Sequence, residues 1–314
     1  MMNKQIYSLL VTGLLFVGAA NAQADILNAK SVDSLNSEET ETINEHDKPL
    51  DYGYVDDRDV LWAKTVWEFI DLNQRVNFPL YYPLDETPTR RSLFTVITDA
   101  IQKDSLNIYN DSYFMQKFSR DQLQDNLKAR QITNVGIEAM NQGKPEDSLS
   151  VGLGEVVESE LNPEDVVGYN VRGYWYFDKR QGELRYRLLG LAPMVTSAQG
   201  KAQISMAQIN GDNLSDEQKK AMLAPVELFW VFYPELRPAL HKAKVFNRNN
   251  TARPLSFDHL LNARRFDAVI YREDNVQGDR QIEDYVADNA LMQLLESQRI
   301  KESIRNFESD MWNY

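Results

Sequence analysis

The sequence predicts an α+β fold, and three observations carry that expectation. Helix-like and strand-like segments are mixed in order, without the regular strand–helix alternation of a doubly wound sheet. The stretch "VRGYWYFDKRQGELRYRLLGLAP", Val171 to Pro193, alternates apolar and polar residues about a glycine turn and reads as an antiparallel hairpin. The chain closes on Ile300, Ile304, Phe307 and Met311, a helical stripe. Together they describe helices and short antiparallel strands around a central hairpin, finished by a long C-terminal helix.

Lys4, the apolar run Leu9 to Ala20 and the small residues Ala20 and Ala22 around Asn21 read as a signal peptide cleaved after Ala22. The run is shorter than the ~20 residues of a comfortable membrane span. No cysteine comes after it to take a lipid, so the mature chain is expected to be exported and soluble. Residues 23–58 are acidic and poor in aromatics, a flexible leader. Residues 59–314 read as a single α+β domain. In "DVLWAKTVWEFIDLNQRVNFPLYYP", Leu61, Trp62, Val66, Trp67, Phe69 and Ile70 lie close to helical spacing, and Pro79 and Pro83 then force an extended or turning segment. "RSLFTVITDAIQKDS" is an amphipathic helix, with a short strand from Leu106 to Tyr109 after it.

"SRDQLQDNLKARQ" is a second helix with Ser119 as its N-cap, leading to a solvated acidic loop around residues 143–165. In the hairpin, Val171, Gly173, Trp175 and Phe177 alternate with Arg172, Tyr174, Tyr176 and Asp178. After the turn at Gln181-Gly182, Leu184, Tyr186 and Leu188 interleave with Arg185 and Arg187. "VELFWVFYPEL" is a buried strand closed by Pro234, with a short helix from Arg237 to Lys242 beyond it. Ser256 caps a helix running to about Arg264, a strand spans Phe266 to Tyr271, and the last helix begins near Asp279. Phe94 with Ile108-Tyr109 faintly echoes Phe257 with Ile270-Tyr271, so two helix–strand units are expected around the hairpin.

The formal net charge is −13 and there is no cysteine. Stability must therefore come from a hydrophobic core, and thiolate nucleophiles and thiolate zinc sites are excluded. Of three histidines, His46 lies in the leader, while His241 and His259 sit in helices among Lys and Arg. There is no His-Glu-x-x-His pair, no Gly-x-Ser-x-Gly elbow and no phosphate-binding glycine loop. "DNVQGDRQIEDY" fails as a calcium loop because Val276 fills a ligand position. No catalytic residue, cofactor or metal is expected. Glu68 with Asp71, and Asp284 with Asp288, keep open an alternative: an exported carbohydrate-active hydrolase using a carboxylate pair. A freestanding periplasmic binding module is a third reading.

The segments "KTVWEFIDLNQRVNFPLYYP" with "SLFTVI", "WYFDKRQGELRYRLLGLAP", "LFWVFYPELRPAL", "SFDHLLNARRF" and "RIKESIRNFESDMW" resemble, in order, the GldN/PorN family of gliding-motility proteins of the type IX secretion system of Bacteroidetes. The resemblance covers roughly Val60 to Tyr314. It implies a periplasmic protein without catalytic activity, in a ring with the outer-membrane lipoprotein GldK/PorK and further copies of itself. That ring would link to the GldL/GldM motor, with the periplasmic part of GldM/PorM as a further contact, and would reach the membrane only through the lipoprotein.

An acidic chain with one basic segment fits a protein partner and repels nucleic acid. The candidate contact residues are therefore Trp175, Tyr176, Arg185, Tyr186 and Arg187 of the hairpin. Beside them stand Arg237, Lys242, Lys244, Arg248, Arg253, Arg264 and Arg265 of the basic segment.

Overall fold

A computed structural model describes residues 48–314 except 86, 88, 89, 104, 105, 212, 248–254, 288, 313 and 314. The signal peptide, most of the leader, and Arg248 and Arg253 lie outside the described residues. Residues 49–314 form one unit. The fold is α+β, with an antiparallel sheet of seven strands in the order β11 (Val269–Glu273), β1 (Val60–Asp71), β5 (Val166–Asp178), β6 (Glu183–Thr196), β8 (Trp230–Phe232), β2 (Ile108–Tyr109), and β7 (Pro225–Glu227) beside β6.

The segment given helical spacing is instead strand β1 (Val60–Asp71). Val66 and Trp67 are adjacent yet both buried, because the strand carries apolar residues on each face. A two-sided strand has no polar alternation, so its apolar positions match a helical pattern equally well; its Val, Thr, Trp, Phe and Ile content decides for the strand. Glu68 and Asp71 therefore do not share a helical face. After a short helix α1 (Phe78–Tyr81), the expected amphipathic helix is α2 (Leu93–Gln102), capped by the Ser92 hydroxyl, and the expected strand is β2 (Ile108–Tyr109).

Helix α3 (Arg120–Leu127) starts after Ser119 but stops early, and Lys128–Ile132 continues as strand β3. Its partner is β4 (Val156–Glu160), inside the segment expected to be a solvated loop. Two short apolar residues explain the difference: Val156 and Val157 are buried. The acids beside them face bases across the pair, Glu160 with Lys128 and Glu158 with Arg130. Helix α4 (Asn134–Asn141) lies in the connection between the two strands.

The central hairpin is β5 (Val166–Asp178) and β6 (Glu183–Thr196), with both strands longer than the alternation implies. Helices α5 (Ala198–Asn210) and α6 (Asp216–Met222) come next, in a stretch without a strong apolar stripe. They approach closely because Gly200 has no side chain: a Cβ there would stand 1.8 Å from the Met222 carbonyl oxygen. Gly200→Ala is expected to cost about 1–3 kcal/mol, since one backbone must move. Gly152→Ala, whose nearest contact would be an ordinary 3.6 Å, serves as the control. Urea unfolding of both variants checks this.

Strands β7 (Pro225–Glu227) and β8 (Trp230–Phe232) take up the apolar run, and α7 (Tyr233–Lys242) begins earlier than expected, with Pro234 tolerated in its first turn. The short pair β9 (Lys244–Val245) and β10 (Leu255–Ser256) precedes α8 (Phe257–Asn262) and β11 (Val269–Glu273). The two echoing helix–strand units thus place β2 and β11 at opposite edges of the sheet. The C-terminal helix is divided: α9 (Ile282–Tyr285) is separate from the long α10 (Ala290–Trp312).

The main core joins α2, α7 and α8 to one sheet face through Ile70, Tyr169, Val171, Leu188 and Leu191. On that face α10 buries Ile300 and Ile304, and Phe307 stacks on Trp62 at 4.8 Å. It also closes the outer edge of β11. The Ser297 hydroxyl accepts from the Ile270 N–H at 3.0 Å, and the Lys301 ammonium donates to the Ala268 carbonyl. The opposite face uses the other alternate residues, Trp67, Ala192 and Trp230, covered by Tyr109 and Phe114.

Candidate interaction surface

The candidate residues divide between two internal clusters and a smaller exposed set. In the first cluster Arg264, just past α8, grips Glu68 of β1 with both arms, Nη1–Oε2 at 2.7 Å and Nη2–Oε1 at 2.6 Å. Glu68 is 0% exposed. The guanidinium lies over Tyr186 at 4.4 Å, Trp175 at 5.0 Å and Phe266 at 5.4 Å. Tyr186 donates its hydroxyl to Glu68 at 3.3 Å, and burial, then the Glu68 charge, pushes that phenol well above its ordinary range. The ring crosses β5 where Gly173 leaves room; a Cβ there would meet it at 2.2 Å.

The second cluster centres on Asp258 of α8. Its carboxylate accepts from Arg237 Nε at 2.9 Å, Tyr233 Oη at 3.0 Å and Asn262 Nδ2 at 2.8 Å. Arg237 also donates to the Leu50 carbonyl at 2.5 Å. The Tyr52 ring lies between two guanidiniums, 4.4 Å from Arg237 and 4.7 Å from Arg187, and its hydroxyl donates to Asn262 at 2.9 Å. Burial pushes that hydroxyl up to about 12. Arg187 also donates to the Gly53 carbonyl and rests on the buried Tyr176. The last residues of the segment expected as flexible leader are therefore tied to the body, which begins before residue 59.

Trp175, Tyr176, Tyr186, Arg187, Arg237 and Arg264 thus serve as internal ties. Their sequence signature suits an interface because folding uses the same chemistry, arginine on aromatic faces against a carboxylate. Lys242 and Arg265 are exposed, Arg185 is exposed and paired with Glu183 at 3.2 Å, and Lys244 is half-buried. Leu291, Met292, Leu294 and Leu295 stand at least half exposed at the start of α10. Along the sequence this apolar patch has the composition of a core-facing helix, which hides it from a reading of residue types.

The sheet face opposite the main core carries a groove of about 730 Å³, floored by Phe69, Trp230 and Tyr271, with Asn170, Tyr113 and Arg272 along it. Glu227 beside it accepts from Asn170 Nδ2 at 2.8 Å and Trp230 Nε1 at 2.5 Å. Glu68, one half of a suggested catalytic pair, is locked to Arg264, and Asp288 of the other lies outside the described residues. Among the described residues no three His, Asp or Glu side chains gather for a metal, and no helix is long and apolar enough to cross a membrane.

Fold and surface define the class: an α+β scaffold whose arginines, aromatics and carboxylates tie its layers together. The chain belongs to the family of gliding motility associated protein GldN, whose model matches residues 55–313, from just before β1 to the end of α10. It is a component of the gliding-motility and type IX secretion machinery. Comparison with the curated proteins finds no match.

Proposed function

We propose that this chain is a non-catalytic, structural member of that machinery, working in the periplasm after cleavage at Ala22. It assembles as a ring of its own copies with the GldK/PorK lipoprotein, and connects that ring to the GldL/GldM motor through the periplasmic part of GldM/PorM. The family match across 55–313 is the observation that carries this reading. The surface is compatible with it: exposed Lys242 and Arg265 remain available for an acidic partner, and Leu291, Met292, Leu294 and Leu295 form an exposed apolar patch.

The test is fractionation. In cells with the lipoprotein, the chain is expected in the outer-membrane fraction and to co-purify with it. In cells lacking it, the chain is expected to move to the soluble periplasmic fraction. Retention at the outer membrane without the lipoprotein would show that the chain is anchored by another route.

A further inference from the structure

Three side chains stand abreast on the sheet face opposite the main core. The register of β1 sets Trp67 opposite Arg172 of β5 on one side and opposite Arg272 of β11 on the other. The guanidinium carbons lie 5.3 Å and 4.3 Å from the Trp67 ring centre, and 5.0 Å and 5.4 Å from that of Tyr113 above them. Each arginine has one hydrogen bond to a neutral acceptor: Arg172 to the Ser112 carbonyl at 2.8 Å, and Arg272 to the Tyr113 hydroxyl at 2.5 Å. Among the described residues neither forms an ion pair with a carboxylate.

The Nε–H of Arg172, the Nε–H of Arg272 and the indole N–H of Trp67 are all buried without an acceptor. Buried donors are nearly always satisfied, and each orphan costs free energy. Three orphans beside two like charges amount to a site prepared for an anion. The nearby acids are already engaged. Asp279 accepts from Tyr113, Asp111 accepts the backbone N–H groups of its own turn, and Glu227 is held by Asn170 and Trp230. Of the acids lining the groove, Glu227 is exposed but engaged, and Glu283 is exposed. Tyr113 is 41% exposed, so rotation of its side chain opens the way to the guanidiniums. The groove then leads from Arg272 over Phe69 and Tyr271 towards Trp230.

We propose that the Arg172–Trp67–Arg272 row is a receptor for a carboxylate side chain on an extended acidic segment of a partner protein. The apolar groove floor takes the residues beside that carboxylate. Charge selects an acid, and the groove selects a chain over a free ion, which would leave the floor wet. The geometry stands whatever machinery the protein serves.

The indole N–H resonance of Trp67, assigned by its loss in Trp67→Phe, reports the site directly. The protein is titrated with the peptide acetyl-Leu-Glu-Val-Glu-Leu-amide, with its counterpart bearing Gln for both Glu, and with sodium acetate. The acidic peptide is expected to move the resonance, the Gln peptide to leave it in place, and acetate to act only at far higher concentration. Arg172→Gln and Arg272→Gln should each weaken the acidic peptide by roughly ten- to a hundredfold, while the other indole resonances stay put. If Arg172→Gln fails to fold, Arg272→Lys, which keeps charge but loses the fork, should still weaken binding. Equal response to the Gln peptide, equal potency of acetate per carboxylate, or no response to any probe would each overturn the proposal.

Discussion

Replacing Glu68 by alanine is expected to destabilise the protein by about 3–5 kcal/mol, because it leaves the Arg264 guanidinium partly buried with no counter-charge. Glu68 is 0% exposed and takes both arms of Arg264 as well as the Tyr186 hydroxyl, so one truncation strands three donors. For a body of this size that corresponds to a melting point lower by about 10 °C. Removing both partners together, as Glu68→Met with Arg264→Met, should recover a good part of the loss, since no uncompensated charge remains. Guanidinium chloride unfolding of the two single variants and the double variant measures the coupling. A single variant close to wild type would mean that water reaches the pair and screens it.

Asp258→Ala should have an effect of similar size, about 3–5 kcal/mol, for a related reason. The carboxylate is 5% exposed and satisfies Arg237, Tyr233 and Asn262 at once. Its loss also loosens the N-terminal segment, because Arg237 holds the Leu50 carbonyl and Asn262 holds the Tyr52 hydroxyl. Titration of Tyr52, taken as the difference from Tyr52→Phe, reads this out. In the wild type its hydroxyl is raised from 10.0 to about 12, chiefly by burial; in Asp258→Ala it should fall back towards 10.0. The shift is upward, so the stabilisation from Tyr52 is complete below pH 10 and is lost as the pH climbs towards 12. An unchanged Tyr52 titration in the variant would show that the segment is held by its other contacts alone.

The GldN match places the protein in a machinery, while these two ties concern the chain alone. Both use basic-segment residues, Arg237 and Arg264, which leaves Lys242 and Arg265 as its exposed lysine and arginine among the described residues.

Local signals were legible where one residue's neighbours determine its conformation. The alternation from Val171, the Ser92 and Ser256 caps, and the Ile300–Ile304 stripe each specify their element through sequence-near physics. The α+β class comes from their order, and the family from its motifs. Only the tertiary structure decided where a segment's second face goes. Trp62 to Ile70 became a strand because helices cover one side and an aromatic layer the other; Val156 and Val157 paired with β3 because α5 gave them a surface. The arginines show the same division. Arg264 and Glu68, like Arg172, Trp67 and Arg272, come from distant parts of the chain, and charge along the sequence does not say which residues the sheet will bring abreast. Whether a guanidinium ties the fold together or waits for an acid is determined by the carboxylate beside it in space.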